Sequence, residues 1–385
     1  MKKIAIIGGG ISGLYVANLL RQNSNYEITI YEKNNSVNLE KGYGIQLSVN
    51  SIKLLNKIGF HNINFKEKFF PNSVNFYSLK DKSKICDIDI SVFNNSEDKY
   101  TTLQRSTLID FLRNKLPSNL INFNKKVIDV QNLSEITKVI FEDRSSIDCD
   151  CLIISDGAFS KTRSLITDKE IKPKYFNSIA VRGNIDKNNL HSIYHNNISL
   201  LLGSNLHSVV YPVDQNDHFN FVTILRKNLN SKELNNYSLF NSKEFVSSTL
   251  LEMSKQVDSN IIENLKDIKC FPVFASTEIF QPKSTNIHII GDAFFVFPPT
   301  FAQGASQSIE VAYEIYKNFE NKNENDQFNK ERIKRTKMID RKSRLNYFVF
   351  HLSNPLMIFI RNLLLRYLVK NNKFINSYLG KVYKN

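Results

Sequence analysis

Three glycines and a carboxylate near the start of the chain have the types and spacing of a phosphate-binding loop. Gly8, Gly10 and Gly13 form G-x-G-x-x-G, and Glu32 follows Gly13 by 19 residues. In such a loop the first glycine makes a tight turn, the second lets the backbone approach a pyrophosphate and the third lets a helix pack closely, while the acidic residue accepts hydrogen bonds from a ribose. The pattern, in which we include Ser12, predicts a dinucleotide site and leaves open whether the ligand is NAD or FAD.

The flanking residues predict the elements that must hold this loop. An apolar strand precedes Gly8 at residues 2–7, a helix follows with Leu14, Ala17 and Leu20 on one face, and "EITIYE" forms a second strand. Because the helix would start at the glycines, its unpaired N–H groups and its positive end would face the phosphates. The order strand, loop, helix, strand predicts a Rossmann-like α/β domain.

Further polar and glycine positions stand where predicted strands end or helices begin. Asp156 and Gly157 follow the strand "CLIIS", Asp292 follows "NIHIIG", and Arg105 begins the amphipathic helix "RSTLIDFLRNKL". Downstream, "PPTFAQGAS" sets rigid prolines before a helix that begins at Gly304, where backbone N–H groups can approach a negatively charged group. Taken singly, each of these motifs also fits an ordinary turn or helix start.

The order and spacing of the motifs resemble a known family. G-x-G-x-x-G, R-x-x-L, D-G-x-x-S-x-x-R and the G-D-A motif with its prolines and Gln-Gly pair resemble the FAD-dependent aromatic-ring monooxygenases of the p-hydroxybenzoate hydroxylase superfamily, over almost the whole chain. Three segments are most similar to the salicylate hydroxylase and 3-hydroxybenzoate 6-hydroxylase branch: "KGYGIQLSVNSIKLLNKIGF", "LHSVVYPVDQNDHFNFV" and the tail "SRLNYFVFHLSNPLMIFIRNLLLRYL". The resemblance implies FAD as the bound cofactor and NAD(P)H as a transient co-substrate.

The resemblance also implies where residues lie along an extended FAD. Glu32 would hold the adenosine ribose, and Asp292 would hydrogen-bond the ribityl chain. The other residues that it assigns to the adenine, the pyrophosphate and the flavin ring are Arg105, Val127, Asp156, Gly157, Pro299, Gln303 and Gly304.

The reaction implied by the resemblance is hydroxylation of a small phenolic substrate with NAD(P)H and O2, through a flavin C4a-hydroperoxide. His207 matches the position of the presumed base of this branch, and an imidazole is suited to remove a phenolic proton near neutral pH. Tyr211 is the second catalytic candidate, and Arg182 in "IAVRGNI" is a further candidate for the pocket. A purely structural role for His207, as a half-buried strand residue, stays open.

The chain departs from the family pattern around the G-D-A motif. Phe294 and Phe295 stand where Ala-His is common, Ala302 replaces a glycine, and Ser306 replaces an asparagine. Because the two phenylalanines remove a polar group, we expect them to make the surroundings of the substrate more apolar.

The motif positions predict an α/β fold: a Rossmann-like FAD/NAD(P)-binding domain with an inserted β-sheet substrate domain and a helical C-terminal tail. We expect a discontinuous FAD-binding domain at 1–70, 100–172 and 280–325. The β-rich substrate domain would comprise 71–99 and 173–279, and a basic helical segment would follow at 326–385.

Composition narrows the function classes. The four cysteines share no metal-ligand spacing, so we predict reduced thiols, a cytoplasmic location and no metal site. Of the net charge of +14, residues 331–385 contribute +11, with 13 Lys and Arg against Glu331 and Asp340. Since the rest of the chain is nearly neutral and carries no nucleic-acid-binding motif, we predict no nucleic-acid partner.

The C-terminal tail leaves two interpretations open. Pro355, Arg361 and Arg366 interrupt its apolar stretches, which argues against a membrane span. It forms either a helix packed on the FAD-binding domain or a basic amphipathic helix lying on an anionic membrane. Whether the protein also forms a homodimer is a separate question that the sequence leaves open. Membrane contact would suit the alternative function, a flavoprotein epoxidase or reductase acting on a lipid-soluble isoprenoid or quinone-type substrate. A non-catalytic nucleotide-sensing module is a third hypothesis.

Overall fold

A computed structural model describes residues 1–36, 42–133, 135–167, 170–280, 282, 284–321 and 325–383. Side chains are described for all of these residues except those from 321 to 329. Lys41, which begins one motif, and Lys384 and Asn385, which end the predicted C-terminal segment, lie outside the described residues.

The strands and α-helices follow one another along the chain in the mixed order expected for an α/β protein. The strands are β1 Lys2–Ile7, β2 Tyr26–Tyr31, β3 Gly44–Leu47, β4 Ser73–Ser78, β5 Lys84–Asp89, β6 Thr101–Gln104, β7 Ile121–Asn122, β8 Val127–Leu133, β9 Ile136–Phe141, β10 Ser146–Cys149, β11 Cys151–Ile154, β12 Lys174–Asp186, β13 Ile198–Leu202, β14 Leu206–Pro212, β15 His218–Arg226, β16 Lys266–Ala275 and β17 Ile287–Ile289. The α-helices are α1 Ile11–Leu20, α2 Val49–Asn56, α3 Arg105–Asn114, α4 Lys161–Thr167, α5 Ser231–Asn235, α6 Lys243–Met253, α7 Ser259–Glu263, α8 Gly304–Asn321, α9 Asn325–Phe350, α10 Pro355–Leu368, α11 Asn372–Ile375 and α12 Lys381–Tyr383.

A parallel sheet carries the N-terminal fingerprint. Its strands lie in the order β17-β11-β1-β2-β7, and every neighbouring pair is parallel. Because parallel strands end at the same edge of a sheet, the residues that follow them meet there. Gly8, Glu32, Asp156 and Asp292 follow β1, β2, β11 and β17 in this way, and the predicted Rossmann-like region is confirmed.

Close packing requires glycine at two positions of the fingerprint. Gly8 has φ +106°, and a Cβ there would lie 2.6 Å from the carbonyl oxygen of Ser155. A Cβ on Gly13 would lie 2.1 Å from the carbonyl oxygen of Gly8. Helix α1 therefore begins directly against the carboxyl ends of β1 and β11.

A second sheet forms the additional domain. Its order is β16-β12-β15-β14-β13-β4-β5, antiparallel except where β13 meets β4. Its strands come from two separate stretches, 73–89 and 174–275, as expected for an inserted sheet domain. The domain boundaries drawn from the sequence remain predictions.

The C-terminal segment packs back on the protein through a buried charged contact. In α9, the Nε of Arg335 donates to Oε2 of Glu310 in α8 at 2.6 Å. The other guanidinium nitrogens of Arg335 donate to the carbonyl oxygens of Lys381, at 3.2 Å, and Val382, at 2.9 Å. One arginine thus joins α8, α9 and the end of the chain. Among the described residues, no helix has both the length and the apolar character needed to cross a bilayer.

Candidate functional site

A cavity of about 600 Å³ brings together the second sheet, the loop before α8 and the C-terminal segment. Most of its lining is apolar or aromatic, including Phe76, Leu200 and Phe350. Both catalytic candidates and four of the residues predicted for FAD line this one space: His207, Tyr211, Asp292, Pro299, Gln303 and Gly304.

Asp292 presents a carboxylate to the cavity from the turn after β17. Its side chain is accessible through the cavity. The protein around it displaces part of its water, and this desolvation raises the pKa of Asp292 to about 6, while the charge of Arg105 opposes that rise. The preceding Gly291 has φ +63°, and a Cβ there would lie 2.4 Å from Oγ of Ser12 at the start of α1. The carboxylate therefore lies close to the fingerprint loop, where it can accept hydrogen bonds from the hydroxyl groups of a sugar or polyol.

Glu32 occupies the other end of the fingerprint. This nearly buried carboxylate accepts a hydrogen bond from N of Gly9 through Oε2, at 2.8 Å, and one from N of Asn34 through Oε1, at 3.0 Å. Two backbone donors hold its orientation, so the carboxylate is positioned beside the glycine loop before any ligand binds.

The described residues fit a phosphate-bearing flavin nucleotide between these carboxylates. A Cβ on Gly10 or Gly304 would meet no atom within 4 Å, so internal packing does not require glycine there and the space beside each backbone is open. No described side chain caps the N-terminus of α1, which leaves its first N–H groups free for phosphate. The buried Oδ1 of Asp156 also has no hydrogen-bond partner among the described residues.

The Asp156-Gly157 turn has a structural role as well. Oδ2 of Asp156 accepts a hydrogen bond from Oγ1 of Thr162 at 2.8 Å. Arg163, which is 2% exposed, donates to the carbonyl oxygen of Ala293 at 2.5 Å and so ties α4 to the turn containing Asp292. Gly157, with φ +88°, supplies the left-handed conformation between strand and helix.

Arg105 and Val127 lie in different surroundings. The guanidinium of Arg105 faces Asp292 and Arg182, and burial lowers its pKa while Asp292 opposes that effect. Val127 is buried beside Ile7 in a cluster on the fingerprint sheet. The charge of Arg105 therefore acts on the turn predicted to hold the ribityl chain, and its assignment and that of Val127 along FAD remain predictions.

The loop before α8 is held by polar side chains. Nε2 of Gln303 donates to Oγ of Ser48 at 3.0 Å, and its Oε1 accepts from Gln307 at 3.1 Å. Ser306, which replaces the family's asparagine, is buried and lies 3.1 Å from Oγ of Ser48. Ala302 has φ +50° and ψ +33°, the left-handed conformation that favours the glycine it replaces.

His207 is part of a buried imidazole pair. Its Nδ1 lies 3.3 Å from Nε2 of His351, the residue that follows α9. Nδ1 of His351 lies 2.8 Å from the carbonyl oxygen of Tyr347, and its Nε2 lies 3.0 Å from that of Ile224. Burial, followed by the proximity of His351, lowers the pKa of His207 well below its usual value. His207 is therefore neutral at pH 7.

A second polar group on the cavity wall contains Tyr211. Burial raises its pKa to about 12, although nearby Arg182 and a hydrogen bond with Gln46 oppose the rise, so Tyr211 is a protonated donor and not a base at neutral pH. The hydroxyl of Tyr100 donates to Oε1 of Gln46 at 2.9 Å. Arg182 lies 5.3 Å from the ring centre of Tyr43 and lines the same cavity.

The expectation that Phe294 and Phe295 shape the substrate surroundings is wrong. Both side chains are buried in the cluster formed by the fingerprint sheet, with Ile7 and Ile289 among their neighbours. They follow the 3₁₀ turn Gly291–Ala293, and the chain reaches the cavity wall only afterwards, at Phe297. The aromatic pair therefore belongs to the core behind the cofactor region.

Sequence reasoning missed three residues of the cavity region. Gln46 lies within a segment already noted for its family resemblance, which was the available signal. His351, beside His207, lies in the C-terminal segment "SRLNYFVFHLSNPLMIFIRNLLLRYL", which carries the same resemblance, whereas Tyr383, on the cavity wall, belongs to no motif. The positions of both depend on how the C-terminal segment packs against the second sheet.

Comparison with known proteins places these features in a family context. Residues 6–38 match the model for an NAD(P)-binding Rossmann-like domain. A 6-methylsalicylate 1-monooxygenase of Aspergillus terreus is 25% identical over 80% of this chain and 72% of its own length. A 6-hydroxynicotinate 3-monooxygenase of Bordetella bronchiseptica is 24% identical over 83% of this chain and 82% of its own length.

Solved structures share the fold. A salicylate hydroxylase substrate complex superimposes with a TM-score of 0.81 at 17% identity, covering 100% of this chain and 95% of the other. Klebsiella pneumoniae HpxO complexed with FAD and uric acid gives a TM-score of 0.80 at 16% identity, covering 98% and 95%. The predicted enzyme class, an FAD-dependent monooxygenase, is confirmed by these relatives, and so is the resemblance to the salicylate hydroxylase-like branch of the FAD-dependent aromatic-ring monooxygenases.

Proposed function

We propose that this chain uses FAD, NAD(P)H and O2 to hydroxylate a small aromatic substrate that carries a phenolic hydroxyl group. The observation that carries the proposal is the single cavity onto which Asp292 and Gly304, predicted for the flavin, and His207, predicted as the base, all open. A ring bound there would lie between a flavin edge and a proton acceptor, as the reaction requires.

The cavity wall favours a flat, largely apolar substrate with one anchored polar end. Isoleucine, valine and phenylalanine side chains dominate the lining, so an aromatic ring can be buried without loss of hydrogen bonds. Arg182 and the hydroxyl of Tyr211 supply a cation and a donor near one another, which suits a carboxylate or a second hydroxyl group on the ring. We therefore expect aromatic hydroxy acids to be better substrates than unsubstituted phenols.

His207 would remove the phenolic proton, and His351 would receive positive charge in turn. Neutral His351 has one N–H but two facing carbonyl oxygens, those of Tyr347 and Ile224. With the proton on its Nδ1, its Nε2 can accept Nδ1–H of His207, which leaves Nε2 of His207 free to act as the base. When Nε2 of His207 gains the substrate proton, its Nδ1 proton can pass to Nε2 of His351, and both N–H groups of His351 then have carbonyl acceptors.

The remaining residues would orient the reactants and exclude water. Bound FAD, reduced by NAD(P)H, supplies O2 activation and the transfer of one oxygen atom to the ring. Asp292 would hold its ribityl chain, while Gly10 and the start of α1 would hold its phosphates. Tyr378 and Tyr383, from the end of the chain, close one side of the cavity and limit solvent around the reacting atoms.

The relatives favour this function over the epoxidase or reductase alternative, since those named above are aromatic hydroxylases.

For partners, we propose peripheral contact with a membrane through the basic C-terminal segment in preference to a homodimer. The exposed Arg366, Lys370 and Lys373 of two copies would repel one another, whereas anionic lipid would attract each.

Purified protein tests the proposed reaction directly. We expect a flavin absorbance spectrum, NAD(P)H oxidation stimulated by members of a panel of hydroxybenzoates and hydroxypyridine acids, and a product heavier by one oxygen atom that derives from labelled O2. A flavin-free protein, or turnover of quinone-type lipids with no oxygenated product from any phenol, would overturn the proposal.

A further inference from the structure

Helix α10 presents an apolar face to solvent. The side chains at Leu356, Ile360, Leu363 and Tyr367 follow the helical spacing of one stripe, and each is 39–71% exposed. Flanking positions on the same side widen the stripe with exposed Met357, Phe359 and Leu364. No acidic or basic residue lies within this stripe.

The opposite side of α10 is already engaged, so the exposed stripe is not a core face turned outward. Leu365 and Val369 pack against the cluster that includes the second sheet. Arg361 is 5% exposed and donates to the carbonyl oxygen of Val349 at 3.4 Å, and Nε of Arg366 donates to that of Ile85 at 3.1 Å. Both arginines therefore bond to the protein, Arg361 from a buried position and Arg366 from an exposed one at the border of the stripe, and the apolar face stays exposed.

We infer that this face, Leu356 to Tyr367, docks on the surface of an anionic lipid bilayer, with α10 lying in the plane of the headgroups. The inference specifies the surface for the membrane contact proposed above, and it holds or fails independently of the reaction chemistry. A helix with a wide apolar face, a tyrosine near its end and basic residues beyond it has the composition of an interfacial helix.

Charge selects the bilayer over a second copy of the chain. Lys370 and Lys373 are exposed just past the stripe, Arg366 is exposed at its border, and no acidic residue follows Asp340 in the sequence given. A symmetric dimer through α10 would bring two sets of these cations together, whereas anionic headgroups neutralise them.

Vesicle sedimentation of the full-length flavin-bound protein tests the inference. The probes are phosphatidylcholine vesicles with and without 30% phosphatidylglycerol, at low and high salt. We expect wild type to bind the anionic vesicles at least tenfold more tightly than the neutral ones at low salt, and high salt to weaken that binding. The double variant Leu356→Gln/Leu363→Gln should lose at least tenfold in affinity for anionic vesicles.

A matched control removes two equally exposed apolar side chains elsewhere. Tyr237→Gln/Leu251→Gln alters residues 65% and 70% exposed on the second domain and should bind as wild type does. Lys370→Gln/Lys373→Gln should reduce the preference for anionic vesicles. Equal binding by wild type and the α10 variant, or no binding by wild type at low salt, overturns the inference.

Sedimentation velocity distinguishes the competing occupant. A wild-type dimer that the α10 substitutions convert to a monomer, without vesicle binding by either form, would assign the face to self-association and overturn the lipid inference. Hydroxylation is measured in parallel without vesicles, so a failure of the reaction and a failure of membrane docking are separate results.

Discussion

Replacing His351 with phenylalanine tests whether the two buried imidazoles act as one proton-accepting unit. Phenylalanine keeps a planar ring between β15 and α9 but removes the acceptor for Nδ1–H of His207. It also removes the N–H groups that face the carbonyl oxygens of Ile224 and Tyr347, at 3.0 and 2.8 Å. When His351 becomes protonated, its new Nε2–H can donate a charged hydrogen bond to the carbonyl oxygen of Ile224. That bond stabilises the protonated pair by about 1.5–3 kcal/mol. Its loss should lower kcat/KM by about 10- to 150-fold.

The assay is kcat/KM for hydroxylation of the best phenolic substrate, measured from pH 6 to 9.5. If His351→Phe weakens proton removal, the deficit should shrink as pH rises toward the phenolic pKa of about 10, because the substrate then ionises without help. The variant His207→Asn should lose roughly 10²- to 10⁴-fold at neutral pH and show the same recovery. His288→Phe, whose ring lies 5.4 Å from Phe319 and away from the cavity, provides the control for replacing an imidazole elsewhere.

A double variant supplies the decisive comparison. If the pair works as a unit, His207→Asn/His351→Phe should be little worse than His207→Asn alone, since the second change removes an interaction already lost. Losses that multiply in the double variant, or a deficit in His351→Phe that is the same at every pH, would refute the relay and leave His351 as a packing residue.

Three further predictions concern the loop before α8 and its supports. Ala302→Gly should stabilise the protein by about 0.5–1 kcal/mol in urea unfolding, because it relieves the φ +50° conformation, whereas the same change at helical Ala305 should destabilise it. Asp292→Asn should weaken flavin retention yet raise the melting temperature of the flavin-free protein above pH 6. The pKa of the Asp292 carboxyl is raised from 3.8 to about 6 in the folded state, so the wild type loses stability as pH rises through that window, whereas asparagine does not ionise. A melting temperature of the flavin-free variant below that of the flavin-free wild type at pH 8 would contradict this. Arg335→Met should lower the free energy of unfolding by about 3 kcal/mol by leaving Glu310 short of its closest ion-pair partner, while Lys334→Met, at an exposed neighbouring position, should have little effect.

Much of the cofactor region could be predicted from the sequence because local rules dictate it. The glycines after β1 are needed for contacts within a few residues or with the adjacent strand, as the 2.1 Å approach at Gly13 illustrates. Parallel strands then bring Glu32, Asp156 and Asp292 to one edge, so knowing the strands was enough to group these carboxylates. The family pattern identified Ala302 as a departure, and the left-handed backbone there explains why glycine is favoured at that position.

Side-chain direction after a turn could not be predicted in the same way. Phe294 and Phe295 follow Asp292 directly, yet they turn into the core while Asp292 opens into the cavity. The 3₁₀ turn Gly291–Ala293 sets these opposite side-chain directions, and no periodic pattern in the sequence predicts it. The contact of His207 with His351 spans 144 positions and depends on where α9 ends against β15, which only the packed structure reveals.

Part of the wall that we propose to face the substrate escaped prediction, although Arg182, His207 and Tyr211 on the same wall were identified from the sequence. The residues inferred for FAD come from motifs at strand and helix ends, whereas the wall facing a substrate comes from the second sheet and from Tyr378, Leu379 and Tyr383 in the last two turns of the chain. Arg335 links the two regions, since it donates to Glu310 on α8 and to the carbonyl oxygens of Lys381 and Val382, just before Tyr383. The glycine and carboxylate motifs therefore do not determine this wall, because it depends on how the C-terminal segment packs against the second sheet.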